Sequence, residues 1–349
     1  MTRLALVMIA RDEAHAIARA LQSARPHVDR MIVLDTGSTD ETAAIAAAAG
    51  AEVHAFAWVD DFSAARNAAL AHSDAAWNLV LDADEWIEAG TEALAELPAA
   101  GGDYLGLVRL NNRSDTPGQE AASGWLPRLL PRGVHYEGRV HEQPLGVSRS
   151  QRTALVLGHD GYTAANLARK AGRNEALLMA ELQAAPQDAY LWYQLAREHQ
   201  VRGRPPQAAL CFAEALRLAP VDTPWRHGLV VRALTAFKTA GQLDEALALA
   251  GAEIDRWPAS PDFYFALGDL YLECANLAPD RAVADFLPIV ESSWKRCLEI
   301  GEQPALDGSV PGRGSHMAAH NLAVFYETLG QKQLAAEHHA LAKRLREGG

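Results

Sequence analysis

Trp77-Asn78-Leu79-Val80-Leu81-Asp82-Ala83-Asp84-Glu85-Trp86 is a short apolar run that stops abruptly in three acids. An apolar segment with no polar face reads as a strand of a parallel sheet, covered on both sides. Residues two apart in an extended chain share a face, so Asp82 and Asp84 are expected side by side at the strand's carboxyl end. Open α/β sheets bind ligands at that edge. Paired carboxylate oxygens there suit Mg2+ or Mn2+, and such a cation suits a diphosphate.

Toward the N-terminus, strand and helix signals alternate. Residues 4–10, 31–35 and 52–56 read as strands, and 17–24, 40–49 and 62–71 as helices, the second helix stopping at Gly50. This alternation predicts βαβ units and a mostly parallel, Rossmann-like sheet. From Asp103 the pattern changes to strand-like pieces at 104–110, 125–130 and 154–157, separated by loop chemistry at 111–118 and 131–133.

After Gly161 only helical patterns remain. Trp192, Leu195, Ala196, His199, Gly203, Ala208, Phe212, Ala215 and Pro220 follow the spacing of a 34-residue tetratricopeptide repeat, with His199 in an aromatic position. Three further units are marked by Phe237, Gly241 and Ala246, by Tyr264, Leu267, Gly268 and Tyr271, and by Leu322, Ala323, Tyr326 and Gly330. The register marks Leu195, Ala233, Leu267 and Leu322 lie 38, 34 and 55 residues apart, which predicts an insertion in the third unit. Helix pairs of this kind bury their apolar faces by stacking into a solenoid. The expected organisation is an α/β domain over 1–162, a linker helix over 163–187 and helical repeats over 188–349.

The 349 residues carry a formal charge of −12, with 49% hydrophobic and 22% charged residues. That is globular composition, and the acidic balance argues against nucleic acid or anionic lipid as partners. Cys211, Cys274 and Cys297 form no close pair and read as small apolar residues in a reducing compartment. No signal core or transmembrane run stands out, so a cytoplasmic protein is expected.

Asp35-Thr36-Gly37-Ser38-Thr39-Asp40-Glu41 joins the second strand to its helix. Ser38 and Glu41 match a capping box, which explains the turn without a ligand. Asp35 is not so explained: at the ligand-binding edge it could accept from a nucleobase N–H or a ribose hydroxyl. Gly37 would admit close backbone approach, and the loop lacks the glycine pattern of dinucleotide binding.

Three segments, Ala10-Arg11-Asp12-Glu13, Leu34-Asp35-Thr36-Gly37-Ser38-Thr39-Asp40 and Leu81-Asp82-Ala83-Asp84-Glu85, together resemble the family 2 glycosyltransferases of GT-A fold over roughly residues 1–160. Asp61-Phe62-Ser63-Ala64-Ala65-Arg66-Asn67 and Arg139-Val140-His141-Glu142 resemble one subgroup, which includes sublancin-type peptide S-glycosyltransferases and often carries a tetratricopeptide tail. The resemblance implies a nucleotide-sugar donor, a UDP-sugar being favoured, and a peptide, protein or glycan acceptor. Donor contacts would come from Ala10, Glu13, Asp35, Arg66 and Asp82. Asp84 would be the direct ligand of Mn2+ or Mg2+, with Asp82 shared between ribose and metal and Glu85 a helix-entry residue without metal contact. The family usually has Asn-Glu where this chain has Asp12-Glu13.

Inverting transfer needs a base on the acceptor side. The resemblance points to Glu142; a surface ion pair with Arg139 is the other reading, and Asp115, Glu120 and Asp160 are rival bases. His159 ends the last strand-like segment, as a further metal ligand or as a packed or capping residue. Arg128, Arg132, Arg139, Arg149 and Arg152 form a local basic excess, suited to a diphosphate or to a solvated, charge-balancing face. Trp125 would stack on a sugar or simply be buried. His338 and His339 are expected in solvent.

Two functions follow. One is metal-dependent transfer of a sugar; the other is a non-catalytic nucleotide-sugar scaffold that recruits a protein through its repeats. A nucleotidyltransferase would want a glycine-rich basic loop after the first strand, and Arg11-Asp12-Glu13 is not one. The helical half, lacking chemistry of its own, is expected to recognise the acceptor or to form a homodimer.

Overall fold

The computed structural model of the protein describes residues 2–113, 123–160 and 172–347. It divides into two compact units, Met1–Leu177 and Leu178–Gly349.

The first unit is built on β1 (Leu4–Ala10), a seven-residue apolar strand with both faces covered. Its residues alternate between two cores. Leu4, Leu6 and Met8 pack with Ile17 and Leu21 of helix α1 (Ile17–Ala24), while Ala5 and Val7 pack with Ala65 and Ala69 of α3 (Phe62–Ala71). Between these helices in sequence come β2 (Arg30–Asp35), α2 (Thr42–Ala48) and β3 (Glu52–Ala55). Asp61 starts α3 by accepting from the Ala64 N–H at 2.9 Å. Next is β4 (Trp77–Val80), whose Trp77 is fully buried and donates from Nε1 to the Pro98 carbonyl at 2.9 Å. Truncating a Trp so placed costs about 3–5 kcal/mol.

The remaining strands are β5 (Glu85–Ala89), which the short helix α4 (Glu92–Ala95) follows, β6 (Tyr104–Asn112), β7 (Ser123–Pro131) and β10 (Arg149–His159). They complete an eight-stranded sheet of order β3-β2-β1-β4-β7-β6-β10-β5. Strands β3, β2, β1 and β4 are mutually parallel. Since β7 opposes both β4 and β6, and β10 runs with β6, the carboxyl ends of β1, β2, β4, β6 and β10 share one edge. The antiparallel β5 brings its amino end there, opposite His159. This mostly parallel, curled sheet between helices is the GT-A-like arrangement expected from the sequence. A small hairpin, β8 (His135–Glu137) with β9 (Gln143–Leu145), stands apart from it.

Two local expectations are corrected. Ser38 and Glu41 form no capping box: Ser38 Oγ accepts from the Asp12 N–H at 3.0 Å, and α2 starts two residues later than expected, with Asp40 accepting from the Thr42 N–H at 2.9 Å. The link between the two loops outcompetes the local cap. Glu85, expected to enter a helix, instead begins β5 and is buried.

The division falls within α5 (Arg173–Ala184), and the second unit continues, among the described residues, with four helix pairs: α6 (Ala189–Val201) with α7 (Pro205–Leu218), α8 (Arg226–Thr239) with α9 (Leu243–Glu253), α10 (Pro261–Leu277) with α11 (Leu287–Ile300), and α12 (His316–Thr328) with α13 (Lys332–Glu347). Leu195, Ala233, Leu267 and Leu322 are all buried, as repeat register demands. Phe212 is fully buried too, but Trp192, Tyr264 and Tyr271 are only half-buried. The 55-residue interval holds two insertions. One is a turn of α- and π-helix over 279–286, between α10 and α11. The other, 301–315, reaches back to earlier helices: the Asp307 carboxylate accepts from the Gly228 N–H at the start of α8, and the Val310 N–H donates to Asp262 of α10 at 2.9 Å. Arg313 adds an ion pair with Asp262 at 3.2 Å. All three cysteines are buried and none is in a disulfide. No helix among the described residues is long and apolar enough to cross a membrane.

Candidate active site

Ala10, Asp35, Asp82, Asp84, Asn112 and His159 all reach the shared sheet edge, because each ends a strand or follows one. At the β2 end, Asp35 Oδ1 accepts from the N–H groups of Gly37 at 2.8 Å and Ser38 at 2.7 Å. Gly37 can turn there because its φ is +100°. The Ala10 carbonyl is taken by the Thr36 N–H at 2.9 Å. Glu13 donates its N–H to Thr42 Oγ1 at 2.7 Å, and its carboxylate lies 3.6 Å from His15.

Strand β4 ends at Val80, so Asp82 and Asp84 occupy a turn between two strands rather than one extended face. The turn breaks the two-residue alternation, and the carboxylates face different partners. Asp82 takes Arg66 Nη2 on Oδ1 and Arg128 Nη2 on Oδ2, both at 2.7 Å. Asp84, buried to 3%, has Oδ2 3.6 Å from His159 Nε2. That separation is long for a hydrogen bond and fits two donors sharing one cation through bonds of about 2.0–2.2 Å. His159 Nδ1 lies 2.7 Å from Asn112 Oδ1. An amide oxygen only accepts, so Nδ1 donates to it and Nε2 is the nitrogen turned toward Asp84, an arrangement suited to a ligating imidazole. Among the described residues no group of three or more His, Cys, Asp or Glu is disposed to hold a metal. The pair therefore fits a cation whose remaining ligands are phosphate oxygens and water, as is common for Mg2+.

Glu142 is not in an ion pair with Arg139; its Oε1 accepts from Arg66 Nε, the same guanidinium that holds Asp82. Burial opposes the charge of Arg66, but the carboxylates of Asp82 and Glu142 outweigh it and hold the group protonated. Arg128 also donates to Glu85, which is 1% exposed, and the Asp82 N–H donates to Glu85 Oε2 at 3.0 Å. Burial pushes Glu85 above the usual carboxylate range, with Arg128 opposing it. Tyr136 of β8 lies beneath, its ring 5.5 Å from the Arg66 guanidinium, and burial raises its phenol to about 12.

Asp160, a rival base, pairs with Arg19 at 2.5 Å; Asp115 and Glu120 lie outside the described residues. The other arginines of the basic segment are dispersed: Arg132 donates to the Ala75 carbonyl, Arg149 pairs with Asp103, and Arg152 lies over Trp125. His339 pairs with Glu327 on the surface. Tyr136 and Asn112 were missed as site residues, and Arg128 was singled out only as one of five arginines in the basic segment. A lone arginine in the otherwise apolar Leu126–Leu130 stretch was the available signal, since a buried guanidinium requires a carboxylate.

The unit is thus a GT-A-like α/β domain with a site suited to a divalent cation and an oxyanion. Glycosyl transferase family 2 matches residues 5–129. A TPR repeat-containing protein of Synechococcus elongatus is 32% identical over 277 residues, covering 74% of this chain and 66% of that protein. The SPbeta prophage-derived glycosyltransferase SunS of Bacillus subtilis is 25% identical over 310 residues, covering 84% of this chain and 64% of SunS. A solved structure of glucosyl-3-phosphoglycerate synthase from Mycobacterium tuberculosis, in complex with Mn2+, uridine diphosphate and glucosyl-3-phosphoglycerate, is 25% identical. It covers 32% of this chain and 44% of its own, with a TM-score of 0.27. The chain spans about two thirds of the length of the curated relatives it matches. Residues 5–129 thus match the family 2 glycosyltransferases, and tetratricopeptide-like repeats follow them.

Proposed function

We propose that the protein is a metal-dependent, inverting glycosyltransferase that takes a sugar from a nucleoside-diphosphate sugar, a UDP-sugar being favoured, and passes it to a peptide, protein or glycan acceptor. The observation that carries this reading is the alignment of Asp35, Asp82 and the Asp84–His159 pair along one sheet edge. Asp35 would accept from base or ribose with its second oxygen, the first being taken by the Gly37 and Ser38 N–H groups. Asp84 and His159 would hold Mn2+ or Mg2+, which neutralises the diphosphate as it leaves. Arg66 and Arg128 orient Asp82 and offer positive charge beside it. Glu142 takes the proton from the acceptor's nucleophile as that atom bonds to the anomeric carbon and the bond to the diphosphate breaks on the opposite face. The helical repeats, a solenoid with no catalytic constellation described in it, supply acceptor recognition or self-association.

The test is hydrolysis of UDP-sugars, with other nucleotide sugars in parallel, at controlled Mn2+. Turnover is expected with at least one donor. Asp84→Ala should lower it by more than the roughly 10–100-fold that losing an outer-shell partner costs. Failure of every donor, with nucleotide binding indifferent to Asp84→Ala, would remove the proposal.

A further inference from the structure

Arg66 stands between the two sides of the candidate reaction. Its Nη2 binds Asp82, on the donor edge, and its Nε binds Glu142, the proposed base. Its Nη1, although buried, has no hydrogen-bond partner among the described residues, and neither does Arg128 Nε nor the Tyr136 hydroxyl. Arg66, Arg128 and Tyr136 are each more than nine-tenths buried. Unspent buried N–H groups on a guanidinium are costly and mark a place for an oxyanion.

The three carboxylates around the two arginines are not equally committed. Glu85 is 1% exposed at the start of β5 and is fixed by both Arg128 and the Asp82 N–H. Asp82 is gripped from both sides. Glu142 lies just before β9, next to His141 with its positive φ of 53°, and among the described residues has a single ion pair, the one with Arg66. A diphosphate drawn to the unspent N–H groups of Arg66 competes for that guanidinium with the carboxylates already on it, and of these Glu142 is held least.

We infer that Arg66 is a positioning residue that makes the base conditional on the donor: it restrains Glu142 until a diphosphate takes its N–H groups, and Glu142 then turns toward the acceptor. The inference rests on the proposed function, since it takes Glu142 as the base and the sheet edge as the diphosphate site. Linkage makes it measurable without an acceptor. If Glu142 and the diphosphate compete for one guanidinium, each weakens the other's hold on it by the same factor.

The experiment is calorimetric titration of the full chain with UDP at saturating Mn2+, with GDP and ADP as alternative probes, in a double-mutant cycle of Glu142→Gln and Arg66→Gln. Glu142→Gln should tighten nucleotide binding by about fivefold or more. In the Arg66→Gln background the same change should alter affinity by less than about twofold. Arg66→Lys, which keeps the charge but loses the fork, should retain part of the coupling and replaces Arg66→Gln should that variant not fold. An unchanged affinity in Glu142→Gln, or the same gain with and without Arg66, would overturn the coupling and leave the donor reading intact. Absence of binding by all three nucleotides would instead bring down the donor reading, and the coupling with it.

Discussion

At Asp12 the backbone is left-handed, with φ of 54°, a conformation that Asn and Asp tolerate better than other side-chain-bearing residues. Its carboxylate accepts from the Thr39 N–H at 2.8 Å and Thr39 Oγ1 at 3.1 Å, while its own N–H donates to Ser38. The acid that stands where the resemblance calls for Asn therefore ties the loop after β1 to the loop after β2. Asn offers the same acceptor oxygen and the same backbone tolerance. Asp12→Asn is expected to leave the melting temperature and nucleotide affinity essentially unchanged. Asp12→Ala, losing both bonds and the backbone preference, should cost about 1–2 kcal/mol, read as a lower midpoint in urea. Equal losses in the two variants would show that the negative charge itself matters.

Strand β10 sets His159 through its neighbours. Gly158 lies opposite Trp86 of β5, and a Cβ there would meet the indole at 2.3 Å. Arg19 covers the same indole, 3.7 Å from its centroid, so the ring has no room to retreat on that side. Gly158→Ala should then cost about 1–3 kcal/mol by overpacking and move His159 from Asp84. The expected readout is Mn2+ affinity that falls more than UDP affinity measured without metal; equal falls would argue against His159 as a ligand. Which elements were legible follows from burial. β1 is apolar throughout, and β2 and β4 are so over most of their length, because the sheet is covered on both faces, and their order of alternation with helices was readable. β5, β8 and β9 are short and half-polar, so their pairing depends on distant strands that periodicity does not report. Asp35, Asp82, Asp84 and His159 were legible by type and place. The sharing of Arg66 between Asp82 and Glu142 was not, because it joins residues 16 and 76 positions apart.

Across the whole chain, the site residues belong to the first unit, and the second carries stacked helix pairs. A chain ending at residue 177 is expected to keep UDP and Mn2+ affinity and donor hydrolysis while losing transfer to the native acceptor. Full transfer by such a chain, as a monomer, would end the case for acceptor recognition or self-association by the repeats. Within the second unit, the insertion over 301–315 bears on how that unit comes apart. Stacked repeats that touch only their neighbours fray from an end, one pair at a time. Here the segment leading into the last pair is fastened to the first turn of α8 through Asp307 and of α10 through Val310 and Arg313. The C-terminal pair cannot peel away without releasing contacts to the pairs one and two units earlier, so opening it exposes several interfaces at once. The solenoid is thereby closed energetically on itself, a strap rather than a row, and its helices should be lost in one cooperative step.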